Sequence, residues 1–315
     1  MFNVNALAMP RRSVCALTSA NRSSGLVLDA GHTQIRCELV ADCLALMRTT
    51  QLSEGGSGVA TRIVHSALRT DCLLPTFALN CNRLPIIAST KAAGDFALGL
   101  SSDKAALIAS DWIHIDSADD SKITQRDRFV LPDGVTLLVR KEQREKLGEW
   151  LFRPEFAVGS TSYVEGNSAR ACGPQQLVLD SIAAADLRLL PHCRELLVVG
   201  GTSMIDNFLP RLQSELDALC RSQAHAEIVK QLSACSAKSA NPAGGATLST
   251  DAKSLGDSSG SLIRVVAPKG NASSAVWRGA AAMASLSTFR DAGGCMHKRA
   301  DYDEIGPTIV RRFCC

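Results

Sequence analysis

Residues 193–220 read CRELLVVGGTSMIDNFLPRLQSELDALC, and this stretch decides the fold class. The segment from Cys193 to Val199, which ends in the apolar run Leu196–Val199, predicts a buried strand. Gly200-Gly201-Thr202-Ser203 then interrupts the run, and a helical pattern follows from Leu209 to Cys220. A strand, a glycine turn and a helix in this order are typical of α/β proteins, in which backbone N–H groups at the turn can face an anion or a nucleotide.

An earlier segment carries a second strand signal. Gly25-Leu26-Val27-Leu28-Asp29 predicts a short apolar strand that ends in an acid, and Ile35 to Val40 predicts the returning strand of a β-hairpin. The remaining signals predict a hairpin over Leu131–Val139, helices over Leu177–Ala185 and Ala275–Phe289, and a strand over Leu262–Pro268. Residues 233–260 are rich in Ser, Ala and Gly, which predicts a flexible insertion.

Composition narrows the function classes. The 315 residues carry 34 basic and 31 acidic side chains, well mixed along the chain, which argues against direct nucleic-acid binding and against an anionic-membrane binder. The twelve cysteines are irregularly spaced, so we expect reduced thiols in an intracellular protein. The basic, acid-free start up to Gly25 is open to two interpretations, a transit peptide or part of a helix.

Several segments match one family in that family's order along the chain. They are Gly25–Gly31, Leu131–Gly134, Leu151–Phe156, Val199–Met204, Arg211–Leu216, Val276–Gly279, Ala284–Phe289 and Tyr302–Val310. The last of them, YDEIGPTIV, is close to the family ending YDESGPSIV. Together these segments resemble actin and the actin-related proteins, with a dense match from about residue 129 onward.

The resemblance implies an α/β fold of the actin-like, sugar-kinase type, with five-stranded mixed sheets flanked by helices. Residues 20–53 and 171–268 would form the inner part of one lobe, with 233–260 as a flexible insertion. Residues 54–170 would form its outer subdomain, and residues 1–19 and 269–315 a remnant of the other lobe. The family's first phosphate hairpin, within roughly the first third of its pattern, would lie before Met1.

The resemblance also implies a site for ATP or ADP with Mg²⁺, although with altered contacts. Asp29 would hold a Mg²⁺-bound water, whereas His32 replaces a carboxylate, Thr33 a glycine and Arg36 a histidine. A nucleoside-contacting Lys-Glu pair falls on Ala109-Ser110, and a Lys-Tyr pair on the Ala272–Ser274 region. The implied nucleotide-contacting residues are Asp29, Ala30, Gly31, His32, Gly200, Gly201, Thr202, Ser203 and Met204; no catalytic residue and no direct metal ligand is assigned.

These changes favour a non-enzymatic structural or interaction subunit of a cytoskeletal or chromatin-remodelling assembly, with residual ATPase activity at most. The expected partners are proteins, with no nucleic acid and no membrane, and conventional filaments are not expected. The expected location is the cytoplasmic cytoskeleton, with the nucleus as the alternative. The alternative function is an ATP-binding actin-like cytoskeletal protein whose first third is missing from this chain, and a third hypothesis is a product that folds poorly.

Overall fold

The computed structural model describes residues 6–54, 56–57, 128–130, 136–138, 149–154, 172–239, 261–287 and 296–312. Within them, six strands form one mixed sheet in the order β4-β3-β2-β8-β9, and β5 also pairs with β3. These strands are β2 (Gly25–Ala30), β3 (Ile35–Ala41), β4 (Leu44–Ala45), β5 (Gln51–Ser53), β8 (Glu195–Val199) and β9 (Arg264–Val266). Two short antiparallel pairs accompany the sheet: β1 (Ala6–Leu7) with β10 (His297–Lys298), and β6 (Arg128–Val130) with β7 (Thr136–Leu138).

Strand β2 is central because its side chains are buried on both faces. It pairs antiparallel with β3, parallel with β8, and β8 pairs parallel with β9. All six residues of β2 are buried, as expected for a strand covered on both sides. Leu26 and Leu28 point to one face of the sheet and Val27 to the other, following the two-residue period of a strand.

Helices cover both faces of the sheet. On the Leu26 side pack α2 (Pro174–Ala183), α3 (Phe208–Arg221) and α4 (Ala226–Ser239), and on the Val27 side pack α1 (Arg12–Ser19) and α5 (Ala275–Ser285). A further short helix, α6 (Arg299–Ile305), follows β10. Helix α2 starts with proline, whose fixed φ suits a first helical position.

Helices α1 and α5 cross at very close range. A Cβ atom on Gly279 would overlap the carbonyl group of Cys15 and would lie 2.6 Å from its carbonyl carbon. Only glycine allows the two backbones to approach this closely. The crossing seals the apolar cluster formed by Val14, Leu17 and Ala275 with the sheet, and it fixes where the first residue of α1 lies.

A buried ion pair attaches residues 149–154 to α3. Arg211, 1% exposed, donates from both terminal nitrogens to the Glu149 carboxylate at 2.6 and 3.0 Å, and its Nε donates to Glu215 at 2.8 Å. The guanidinium also lies 5.6 Å from the ring centre of Phe152. Because such a buried charge is costly unless fully paired, this network specifies how the segment docks.

The structure confirms most of the predicted elements and corrects several bounds. The β2–β3 hairpin, α3 and the β6–β7 hairpin are confirmed. The strand predicted from Cys193 begins at Glu195, because residues 187–194 form a 3₁₀ segment containing Pro191. Helix α5 ends at Ser285 because Leu286 is extended, with ψ near 130°.

The described sheet has the five strand positions that were expected, because β4 and β5 pair with different parts of the same edge of β3 and share one position. One further expectation needs correction. The prediction that order is lost from residue 233 is wrong for residues 233–239, which continue α4, while residues 240–260 lie outside the described part. Ala109-Ser110 and most of the predicted subdomain 54–170 also lie outside it, so the domain bounds stay predictions. No helix in the described ranges is long and apolar enough to cross a membrane.

Candidate nucleotide-binding edge

Two of the predicted site segments meet at one edge of the sheet. Strands β2 and β8 are parallel, so the turns that follow them emerge side by side. Ligands of open α/β sheets bind at this carboxyl edge. The turn after β2 is closed by a hydrogen bond from the Gly31 N–H to the Gln34 carbonyl at 3.1 Å, which leaves His32 and Thr33 exposed at its tip.

The turn after β8 packs directly on the β2 turn. Gly200 has φ of 102°, and a Cβ there would overlap the Ala30 carbonyl group, 2.7 Å from its carbon. The Thr202 hydroxyl donates to the Gly31 carbonyl at 2.8 Å, and the Ser203 hydroxyl donates to the Gly200 carbonyl at the same distance. The predicted segments 29–32 and 200–204 are therefore in contact, although Met204, 47% exposed, lies at the rim.

A third segment, residues 269–274, completes the edge. The Gly200 N–H donates to the Ala272 carbonyl at 3.1 Å. From α5, Arg278 donates to the Lys269 carbonyl at 2.6 Å and to the Ser274 hydroxyl at 3.3 Å, which holds this loop beside the glycine turn. Lys269 itself is exposed.

A short segment covers the β2 turn from outside. The Ser57 hydroxyl lies 3.2 Å from Nδ1 of His32. A Cβ on Gly56 would lie 2.7 Å from the Gly31 carbonyl oxygen, so the backbone passes directly over the turn. His32 thus contacts another segment of the chain, and nothing in the described residues groups it with other histidines, cysteines or acids as a metal cluster.

Asp29 is buried at this edge and faces an arginine. It is 4% exposed, and its Oδ2 lies 2.9 Å from a terminal nitrogen of Arg12, while its Oδ1 has no hydrogen-bond partner among the described residues. Arg36 is its cross-strand neighbour on β3. Burial raises the pKa of Asp29 above its ordinary value, and the charges of Arg12 and Arg36 partly oppose that rise.

Arg12 is the site residue that the sequence predictions missed. It stands in the first turn of α1, where the helix dipole disfavours a cation and where no acidic residue is present. The preceding Arg11 meets a second buried carboxylate, Glu38, at 3.3 Å, and the Ser13 hydroxyl donates to Glu38 at 2.6 Å. The sequence did contain a signal for this residue, namely two arginines that follow Pro10 at the start of a helix. Each of them needs an acidic partner elsewhere in the fold.

Comparison with known proteins decides the family. The sequence model described as Actin matches residues 1–315. The chain belongs to the actin family. The mixed sheet between two helical layers agrees with an actin-like fold, and the predicted fold class is confirmed.

Three curated actin-family relatives match parts of the chain. The SWI/SNF and RSC complexes subunit arp42 of Schizosaccharomyces pombe is 35% identical over 104 residues, which is 32% of this chain and 24% of that protein. Actin-like protein 7B of Homo sapiens and of Macaca fascicularis are each 25% identical over 221 residues, 70% of this chain and 46% of theirs. The matched part therefore spans less than half the length of these actin-related proteins.

The residues of this edge fit the two parts of the actin-family ligand, nucleotide and Mg²⁺, unequally. A Cβ on Gly201 would meet no described atom within 4 Å, so a phosphate can approach the exposed backbone of this turn. Mg²⁺ does not fit Asp29, because one carboxylate oxygen is already paired with a guanidinium. Nucleotide-bound Mg²⁺ keeps several waters and takes phosphate oxygens besides one or two carboxylates, so the charge already paired with Asp29 is the property that decides the fit.

Proposed function

We propose that this actin-family chain is a non-enzymatic structural subunit of a multi-protein assembly, in which the former nucleotide edge has become a fixed junction within the subunit. The observation that carries the proposal is the Asp29–Arg12 ion pair at 2.9 Å. A carboxylate that orders metal-bound water must be available to it, and this one is buried and neutralised from within the chain.

The contacts around the ion pair support a structural role for the whole edge. Thr202 and Gly200 direct their polar groups to Gly31 and Ala272, so the turns hold one another together. Each hydrogen bond of this kind contributes about 1 kcal/mol to folding. An edge stabilised by its own contacts keeps its shape without a ligand, which a permanent scaffold requires.

We further propose chromatin remodelling as the setting, with a cytoskeletal assembly as the second candidate. The relative that matches with the higher identity is named as a subunit of SWI/SNF and RSC complexes. This favours the nucleus over the cytoplasm. In this proposal the partners are proteins, with no direct contact to nucleic acid or membrane and no conventional filament.

Native copurification of the tagged endogenous protein tests this proposal. We expect stoichiometric protein partners that survive nuclease digestion, nucleotide depletion and chelation of divalent cations. Cross-linking mass spectrometry would then locate the contacts on this chain. A protein that migrates as a monomer in both nuclear and cytoskeletal extracts would refute the proposal. Partners confined to the cytoskeletal fraction would select the second setting.

The alternative function, ATP binding, has its own supporting observation, the open space beside Gly201. It predicts that the purified protein retains nucleotide, which chromatography of a denatured sample detects. A Gly201→Ala variant would place a methyl group in the path of the phosphates and should lower that retention without unfolding the protein. Nucleotide at one equivalent per chain, together with measurable phosphate release, would replace the structural-subunit proposal.

A further inference from the structure

We propose that Arg12 is a built-in cation at Asp29, which takes the place of a divalent metal and excludes Mg²⁺ from this edge. The inference rests on the proposed function, in which the edge needs no metal-dependent turnover. It concerns the metal chemistry of the site, whereas partner binding is measured separately.

The charges around Asp29 are the first support. The carboxylate is buried to 4% exposure and lies 2.9 Å from the Arg12 guanidinium, with Arg36 opposite it on β3. A metal ion bound to Asp29 would therefore lie next to the Arg12 guanidinium, with the Arg36 charge on the neighbouring strand. Like charges at the separation of Arg12 repel appreciably, even where the protein is partly solvated.

The unpartnered Oδ1 of Asp29 marks the position at which a metal ion would bind. A carboxylate normally satisfies both of its oxygens when buried, and here one oxygen has no partner within the described part of the chain while the other faces Arg12. The position is suited to a cation, but the net charge around it is already positive. Removal of Arg12 should convert this position into an accessible oxygen ligand.

The fold fixes the backbone from which the Arg12 side chain reaches Asp29. Its neighbours Arg11 and Ser13 both bind the buried Glu38 carboxylate, at 3.3 and 2.6 Å. The opposite side of α1 is fixed by the close crossing with α5 at Gly279. The first turn of α1 is thus anchored on both sides of Arg12, although the Arg12 side chain itself is 56% exposed.

Titration of the full chain with Mn²⁺, followed by electron paramagnetic resonance, tests the proposal. Mn²⁺ serves as a paramagnetic probe for the Mg²⁺ position. The wild type should show no binding that depends on Asp29. Arg12→Gln should bind Mn²⁺ at least about tenfold more tightly than the wild type, and the double variant Arg12→Gln/Asp29→Asn should lose the gain. Arg48→Gln is the matched control, because Arg48 also faces an aspartate, Asp186, at 3.9 Å but in an exposed pair.

Two outcomes of the Mn²⁺ titration would overturn the proposal. One is wild-type Mn²⁺ binding that disappears in Asp29→Asn, and the other is a folded Arg12→Gln protein with no gain. If Arg12→Gln does not fold, Arg12→Met keeps the length and apolar stem of the side chain. A measurement on the wild type is independent of both variants: its melting temperature should be the same in Mg²⁺ and in chelator, since only a ligand of the native state shifts it. A Mg²⁺-dependent rise that Asp29→Asn abolishes would equally refute the proposal, whatever partners the protein has.

Discussion

Two adjacent glycines at the nucleotide edge should respond to the same substitution in opposite ways. Gly200 has φ of 102° and ψ of 160°, and a Cβ there would overlap the Ala30 carbonyl group. Gly201 has no such constraint, since a Cβ there would meet nothing within 4 Å in the described ranges. We therefore expect Gly200→Ala to destabilise the protein strongly and Gly201→Ala to leave its stability almost unchanged.

The magnitude for Gly200→Ala follows from two costs. The backbone conformation is one that only glycine adopts readily, which costs an alanine about 1–3 kcal/mol. The Cβ would also lie 2.7 Å from the Ala30 carbonyl carbon, whereas ordinary carbon contacts lie at about 3.5–4.0 Å. Relief requires β2 and the β8 turn to separate by about 1 Å, an overpacking cost of about 1–3 kcal/mol. The expected loss is about 2–6 kcal/mol, and the Thr202–Gly31 hydrogen bond should be among the first interactions to break.

Urea unfolding of the three proteins, followed by far-ultraviolet circular dichroism, measures the difference. Gly201→Ala should lie within about 0.5 kcal/mol of the wild type, as for other open surface positions. Equal slopes with urea concentration would show that the unfolding transition remains comparable. The pair is well matched because both changes add one methyl group to neighbouring residues of the same turn.

Equal stabilities of the two variants would refute the docking of the β8 turn on β2, and with it the geometry of the whole edge. A strong loss in Gly201→Ala would show that the space beside that residue is filled in the folded protein. If Gly201→Ala instead keeps its stability but loses nucleotide, the glycine turn is a phosphate contact and the ATP-binding alternative gains support.

Three further predictions concern the surroundings of the edge. Gly279→Ala should lower the free energy of unfolding by about 2 kcal/mol or more, despite the better helix propensity of alanine, because the backbones of α1 and α5 must separate. The control Ala281→Gly, at an exposed position of the same helix, should cost about 1 kcal/mol. Urea unfolding that ranks the two variants in reverse would contradict the close crossing. Arg211→Gln should cost about 3–5 kcal/mol by leaving the Glu149 carboxylate buried and unpaired, and a loss under about 1 kcal/mol in the same assay would mean that the pair is solvated. Burial raises the pKa of Asp29, so the folded protein holds the proton of this carboxyl more tightly than the unfolded chain does. The free energy of unfolding of the wild type should therefore fall, relative to that of Asp29→Asn, as the pH rises from about 4 through the folded pKa. Parallel stability curves for the two proteins between pH 4 and 7 would count against this.

Sequence patterns predicted the parts of the fold that depend on local apolar spacing. Strands β2 and β8 each contain a continuous apolar run, β3 alternates apolar and charged residues in its first half, and α3 has a helical periodicity, so each was found within two residues. The predicted ends of the elements were wrong where a neighbouring residue favoured a different local structure. Pro191 sustains a 3₁₀ segment up to Arg194, and small residues that read as flexible after residue 233 continue α4 because alanine and lysine favour helices.

The candidate site was predictable as a pair of turns but not as a charge arrangement. Glycine and threonine at 200–202 mark a turn by their type, and the family pattern places it beside Asp29. Arg12, the partner of Asp29, lies on helix α1, which packs on the Val27 side of the sheet, and no local sequence spacing connects residues 12 and 29. Long-range ion pairs depend on how layers stack, so their discovery required the packed structure.

The packing of α1 on the sheet also bears on the choice between the two functions proposed for this actin-family chain, the structural subunit and the ATP-binding protein. A nucleotide enzyme needs its buried carboxylate left for a metal, and the cost of burying that charge is met only when the metal binds. Here the cost is offset in part by Arg12, whose own helix is fixed by Gly279 and by the Glu38 cluster. Under the proposed function, Arg12 therefore leaves the folded state little to gain from a metal at Asp29. A subunit whose task is to keep its shape within an assembly benefits from such an arrangement, because its stability no longer depends on nucleotide supply.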